Sequence, residues 1–124
     1  MTTFDAINTV YNLLKGVELP VFKYAKPGGN ESEYIVINSL PIAGDMLQKC
    51  YVNVNVHVKD IVFPDSTVAP NTLRLEQLAD TYSTLLEKNI EDNVHLYFDK
   101  QGVEREDALK EHYINIRLLC NLLN

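Results

Sequence analysis

Cysteine is scarce in this chain. Only Cys50 and Cys120 occur, too few for a disulfide scaffold. Both fall in phase with the apolar residues of strand-like runs, which predicts inert, buried thiols in a reducing compartment. Long apolar runs are missing too: none approaches the roughly 18–20 residues that a membrane span needs. The opening "MTTFDAINTVY" lacks a basic start followed by a long apolar core, so no signal peptide is expected. A soluble, cytosolic protein is the expectation. Positive charge is also short, with 11 Lys and Arg against 17 Asp and Glu and a net charge of −6. Affinity for a phosphate backbone comes from clustered basic residues, and here they are scattered, so reading DNA sequence is excluded as the main task.

Catalytic signatures are missing as well. There is no GxSxG elbow, no HExxH and no paired CxxC, and neither cysteine has a histidine beside it in sequence. "KPGGN" (26–30) holds two glycines but no trailing Lys-Ser/Thr, and it joins strand to strand where a phosphate cradle joins strand to helix. It reads as a turn, with Pro27 second and Gly28 third. "EREDALKE" (104–111) is dense in carboxylates but lacks the alternating ligands of a calcium loop, and a charged run between strands is ordinarily solvated. No enzyme is expected, and no cofactor.

What is present is periodicity, over 124 residues that make one domain. In "TFDAINTVYNLLK" (3–15), Phe4, Ile7, Tyr11 and Leu14 share a helical stripe, with Val10 and Leu13 beside it. Thr2 and Asp5 form a capping box, and Gly16 stops the helix. "PVFKYAK" (20–26) alternates as a short strand, "EYIVINS" (33–39) reads as a second strand, and the turn between them predicts a hairpin. "EYIVINS" is apolar on both faces, which predicts cover on both sides. "CYVNVNVHVKD" (50–60) sets Val52, Val54, Val56 and Val58 on one face and Tyr51, Asn53, Asn55 and His57 on the other.

"DIVFPDSTVAP" (60–70) carries Ile61, Val62 and Phe63 with little period and reads as a long functional loop. The next segment spaces Leu75, Leu78, Ala79, Tyr82, Leu85 and Leu86 as a helix, capped by Asn71 or Thr72 and ended near Asn89. "VHLYFDK" (94–100) and "EHYINIRLLC" (111–120) form a second hairpin, joined by the polar "QGVEREDA". The fold class is α+β. A mainly antiparallel sheet of about five strands carries two helices on one face, in the order α-β-β-β-α-β-β.

The non-core faces share Tyr, Asn, His and Arg: Tyr51, Asn53, Asn55 and His57 on the long strand, Tyr113, Asn115 and Arg117 on the last, His95 and Tyr97 on the fourth. Such side chains pack and hydrogen-bond at once, as at subunit interfaces. His57, His95 and Asp99 form a candidate metal or ligand set if the fold brings them together.

In order and size, "VELPVFKYAKP", "EYIVINS", "QKCYVNVNVHVKD", "TLRLEQLADTYSTLLEK", "VHLYFDKQG" and "HYINIRLL" resemble the tail terminator (tail completion) proteins of long-tailed bacteriophages and prophages. The resemblance covers residues 3–119 and rests on pattern rather than on a short motif. It implies a structural virion protein made in the bacterial cytoplasm. Its copies would close into a ring, typically six-fold, on the head-proximal end of the tail tube. Its implied partners are further copies of itself, the tail tube protein and the head–tail neck proteins, with DNA passing through the lumen unbound. An acidic lumen removes the counterion release that drives DNA binding. Ring closure needs two different patches per subunit. The expected interface comprises Tyr51, Asn53, Asn55, His57, Ile61, Val62, Phe63, Tyr113, Asn115 and Arg117. Charge reversal at Asn53 or Asn55 would then dissolve the assembly and leave the monomer folded. The competing readings are another neck or head-closure protein, and a small ligand- or metal-binding module.

Overall fold

A computed structural model of the chain describes residues 2–29, 32–44, 48–87, 90–91 and 94–122. In chain order it contains α1 (Thr3–Leu14), β1 (Val21–Lys23), β2 (Glu33–Ser39) and β3 (Lys49–Lys59). A small ribbon of β4 (Ile61–Val62) and β5 (Val68–Ala69) follows, then α2 (Thr72–Leu86), β6 (Ile90–Glu91), β7 (Val94–Glu106), a single 3-10 turn and β8 (Glu111–Leu122). The main sheet runs β1-β2-β3-β8-β7-β6, with two described residues in β6. This is the α+β class expected from the periodicity. The sheet is mixed, because β1 lies parallel to β2 while the other pairs are antiparallel.

The core follows from the alternation of the two central strands. Val58, Val56, Val54, Val52 and Cys50 face His112, Ile114, Ile116, Leu118 and Cys120 across the ladder. All but His112 are buried. Ala6, Ile7, Val10 and Leu14 of α1 and Leu75, Leu78, Tyr82 and Leu86 of α2 close over this face as one cluster. The thiols of Cys50 and Cys120 are free and buried, and burial pushes the Cys120 thiol up to about 12, with Cys50 adding to the shift. Such a thiol stays protonated and unreactive.

The helix ends obey local chemistry. Thr2 Oγ1 accepts from the Asp5 N–H, and the Thr2 N–H donates to Asp5 Oδ2, completing the capping box. Gly16 takes φ +92 just beyond the last turn of α1. Asn71 caps α2 by accepting from the Arg74 N–H. The end expected near Asn89 lies outside the described residues. Arg74 also clamps Glu33 of β2 through Nε and Nη2, at 2.6 and 2.8 Å, and ties α2 to the sheet.

Four expectations change. The buried stripe of α1 is centred on Ala6 and Val10, leaving Phe4 exposed and edge-on to Tyr24. β1 and β2 are not a hairpin. The chain turns out of β1 at Tyr24 (φ 69), whose N–H donates to Ile37 O, and β2 starts at Glu33 in the same direction as β1. The parallel register sets Val21 beside Ile35 against the core, and a parallel pair cannot be closed by a two-residue hairpin turn. "QGVERE" is not a connection but the outer half of β7, so the turn shrinks to residues 107–110. β8 itself runs two residues past the expected Cys120, to Leu122.

The segment 60–70 is an ordered ribbon rather than a loop. Ile61 pairs with Ala69 and Val62 with Val68, and Asp65 Oδ1 accepts from both the N–H and the hydroxyl of Thr67 to fix the turn. At its base His112 Nδ1 meets Asp60 Oδ1 at 2.6 Å.

Ile116 lies at the centre of the core, and Thr2 is the exposed cap of α1. Ile116→Ala is expected to lower unfolding free energy by about 2–5 kcal/mol in urea titrations. Thr2→Ala is expected to cost about 1 kcal/mol in the same titrations.

Candidate functional site

The face of the sheet turned away from the helices is polar. Alternation places Asn53, Asn55 and His57 there, and the register joins them to β2 and β8: Asn38, Asn53 and Arg117 in one row, Val36, Asn55 and Asn115 in the next, Tyr34, His57 and Tyr113 in the third. Seven residues expected at an interface, Tyr51, Asn53, Asn55, His57, Tyr113, Asn115 and Arg117, therefore share one face. Ile61, Val62 and Phe63 stand apart on the β4–β5 ribbon.

Much of this face is already bonded within the subunit. Asn53 Nδ2 donates to Asn38 Oδ1, while Asn53 Oδ1 accepts from Asn115 Nδ2 and Arg117 Nε, both at 3.1 Å. Asn115 Nδ2 also donates to Asn55 Oδ1 at 2.8 Å. Asn53 is buried, so a charge introduced there meets this network before it meets a neighbouring subunit. It is a poor probe of assembly.

The third row carries a feature the sequence reading missed. The His57 ring stacks between Tyr34 and Tyr113, with centroids 4.6 and 4.7 Å away. Beneath it lies Glu111, only 1% exposed. Glu111 Oε1 accepts from the Tyr34 hydroxyl at 2.6 Å and from His57 Nδ1 at 3.2 Å, and Oε2 accepts from Lys59 Nζ at 2.9 Å. In sequence Glu111 closes the acidic run that reads as solvated. Its phase was the available signal, since Glu111 stands two residues before Tyr113 on the polar side of the same strand.

Electrostatics assign the charge states. Burial pushes the Glu111 carboxyl up, but the hydrogen bonds from Tyr34 and Lys59 and the charge of Lys59 outweigh it and hold the carboxyl below its ordinary 4.5. For His57 burial wins over the neighbouring carboxylate and holds the imidazole below 6.5. The ring is neutral at pH 7. Glu111 is an acceptor, so the network places the His57 proton on Nδ1 and leaves Nε2 as an acceptor. The Glu104 carboxylate, accepting from the Tyr113 hydroxyl at 2.7 Å, pushes that phenol up to about 12.

Above this row the residues following β1 and the turn before β8 raise walls. They enclose a concavity of about 570 Å³ lined by Tyr24, Lys26, Gly28, His57, Leu109 and Tyr113 among others. A neutral imidazole acceptor flanked by phenol rings can hold a ligand hydroxyl or N–H. His57, His95 and Asp99 do not come together. His57 aligns with Tyr113 and His95 with Asn121 along β8, about 26 Å apart at 3.3 Å per residue, and His95 stacks on Tyr97 instead. Among the described residues no group of three His, Cys, Asp or Glu side chains is placed to hold a metal ion. No helix there is long and apolar enough to cross a membrane.

The two shifts predict acid lability. A group held below its unfolded pKa contributes stability above that value and loses it as pH falls. Stability is therefore expected to decline first below about 6.5, as His57 protonates in the unfolded chain, and again below about 4.5 as Glu111 does. His57→Gln is expected to remove the upper step in urea titrations run across pH. Glu111→Ala, which removes the buried acceptor shared by Tyr34, His57 and Lys59, is expected to cost about 3 kcal/mol at pH 7.

A comparison of the sequence with protein-family models finds no matching family, and none of the curated proteins matches it.

Proposed function

We propose that this chain is a structural assembly protein whose copies close into a ring, as expected of a tail terminator that caps a phage tail tube and joins it to the head. The observation that carries this reading is the β4–β5 ribbon. Ile61, Val62, Phe63 and Val68 are each 41% exposed or more, on an element that is nevertheless pinned by the Asp65 turn and the His112–Asp60 contact. An ordered apolar arm exposed to water has few uses other than contact with another protein. An arm and a separate polar face also make two unlike patches, which a closed ring requires. The partly exposed Tyr51, Asn55, Tyr113 and Arg117 are the receiving candidates on that face.

The Glu111 centre supports a non-catalytic reading, because each of its carboxylate oxygens is occupied by a donor of the same subunit. Another neck or head-closure protein would use the same contacts. Tail tube and neck proteins are the proposed partners, and the net charge of −6 suits a lumen through which DNA slides. A second reading, a small ligand-binding module, draws on the concavity beside His57.

The test is solution mass by light scattering across a concentration series, with negative-stain images of the same samples and of samples mixed with tail tube protein. Ring-shaped particles are expected. The paired change Val62→Asp and Phe63→Asp is expected to abolish rings while shifting unfolding free energy by no more than about 0.5 kcal/mol per site. Rings that survive that change would remove the ribbon from the interface. Absence of rings in every sample, tube protein included, would favour the ligand-binding reading.

A further inference from the structure

The outer edge of β7 is open. Among the described residues β6 pairs with Val94 and His95 alone, and nothing pairs with the edge from Leu96 to Glu106. Every residue from Tyr97 to Arg105 is exposed, including Phe98 and Val103, at 45% and 60%. A long open edge is a template for another strand, and natural sheets ordinarily blunt it with charges or bulges. A bulge is present between Phe98 and Lys100, and charges are present beyond it. Their order, however, is self-complementary.

We propose that β7 pairs antiparallel with β7 of a second copy about a two-fold axis at Gly102, joining the two sheets into one. In that register Lys100 stands opposite the partner's Glu104 and Glu104 opposite the partner's Lys100. Both lie on the polar face, as their pairing with Arg117 and Tyr113 of β8 shows. Asp99 falls beside the partner's Arg105 at the bulge, and Gln101 beside the partner's Val103 on the helix side. A two-fold axis normal to the sheet keeps like faces together only for shifts of two residues. A shift one way sets Lys100 against Gly102 and loses the ion pairs. A shift the other way keeps a Lys100–Glu106 pair but sets Asp99 against Asp107. Charge complementarity thus selects one register, and each pair occurs twice by symmetry. At the axis Gly102 carries no side chain, and a Cβ built there meets nothing within 4 Å.

This contact is separate from the ribbon and can be tested without it. Opposed residues on paired antiparallel strands sit with Cα atoms about 4.5–5.5 Å apart, within disulfide reach. Gly102→Cys is therefore expected to cross-link to itself under mild oxidation and give a covalent dimer on non-reducing gels. Arg105→Cys, far from its own symmetry mate, is expected not to. In sedimentation equilibrium Lys100→Glu and Glu104→Lys are each expected to weaken the dimer about tenfold, and the double exchange to restore it. Tyr113→Phe removes the intrachain partner of Glu104 and is expected to leave the dimer intact. A wild-type monomer throughout, or cross-linking at Arg105→Cys or Val103→Cys equal to that at Gly102→Cys, would overturn the proposal. So would failure of the double exchange to rescue. The Val62→Asp and Phe63→Asp change leaves this dimer in place, so loss of rings and loss of the dimer are read separately.

Discussion

The ladder between β3 and β8 is the constraint on which the rest of the molecule depends. It pairs Lys49 with Asn121 at one end and Lys59 with Glu111 at the other without a break. Side chains alternate with a period of two, so a slip of one residue would turn the valines outward and drive Asn53, Asn55 and His57 into the core. Both helices dock on the apolar side of this pair, and β2 and β7 take their registers from its two edges. The amide network and the Tyr34–His57–Tyr113 stack are consequences of the same register.

Glu111 sits at the end of that ladder and turns it into a closed electrostatic unit. A buried carboxylate is tolerated only when its lone pairs are met. Here a phenol, an imidazole and an ammonium meet them from β2 and β3. Three strands are thereby tied at one point next to the turn that opens β8. The cost of desolvation is offset by geometry, and the outcome is a rigid, neutral histidine beneath a concavity.

The surfaces left over differ in kind. The polar face is largely spent on internal bonds, the β4–β5 ribbon is apolar and ordered, and the β7 edge presents unpaired backbone with an alternating charge pattern. Two unlike patches suit ring closure, and a self-complementary edge suits a two-fold contact. These are separate demands on separate residues, and an assembly protein can carry both.

The sequence by itself determined the elements whose period is long and regular. The valine alternation of 50–60, the leucine spacing of α2, the Thr2–Asp5 cap and the Asn71 cap depend on residues a few positions apart, and each is present as expected. It also placed seven of the candidate residues on one face, because strand phase is local information. Tertiary structure alone decided what phase cannot carry. Whether β1 runs parallel or antiparallel to β2 depends on where Val21 finds apolar cover, which is a property of the assembled core. Whether "QGVERE" is turn or strand depends on β8 offering it a partner. Glu111 looked like one more charge in an acidic run, and only the meeting of Tyr34, His57 and Lys59, distant in sequence, makes its burial affordable. Local chemistry sets period and caps. Partnership across strands sets direction, burial and charge state, because those free energies arise only when remote groups share one site.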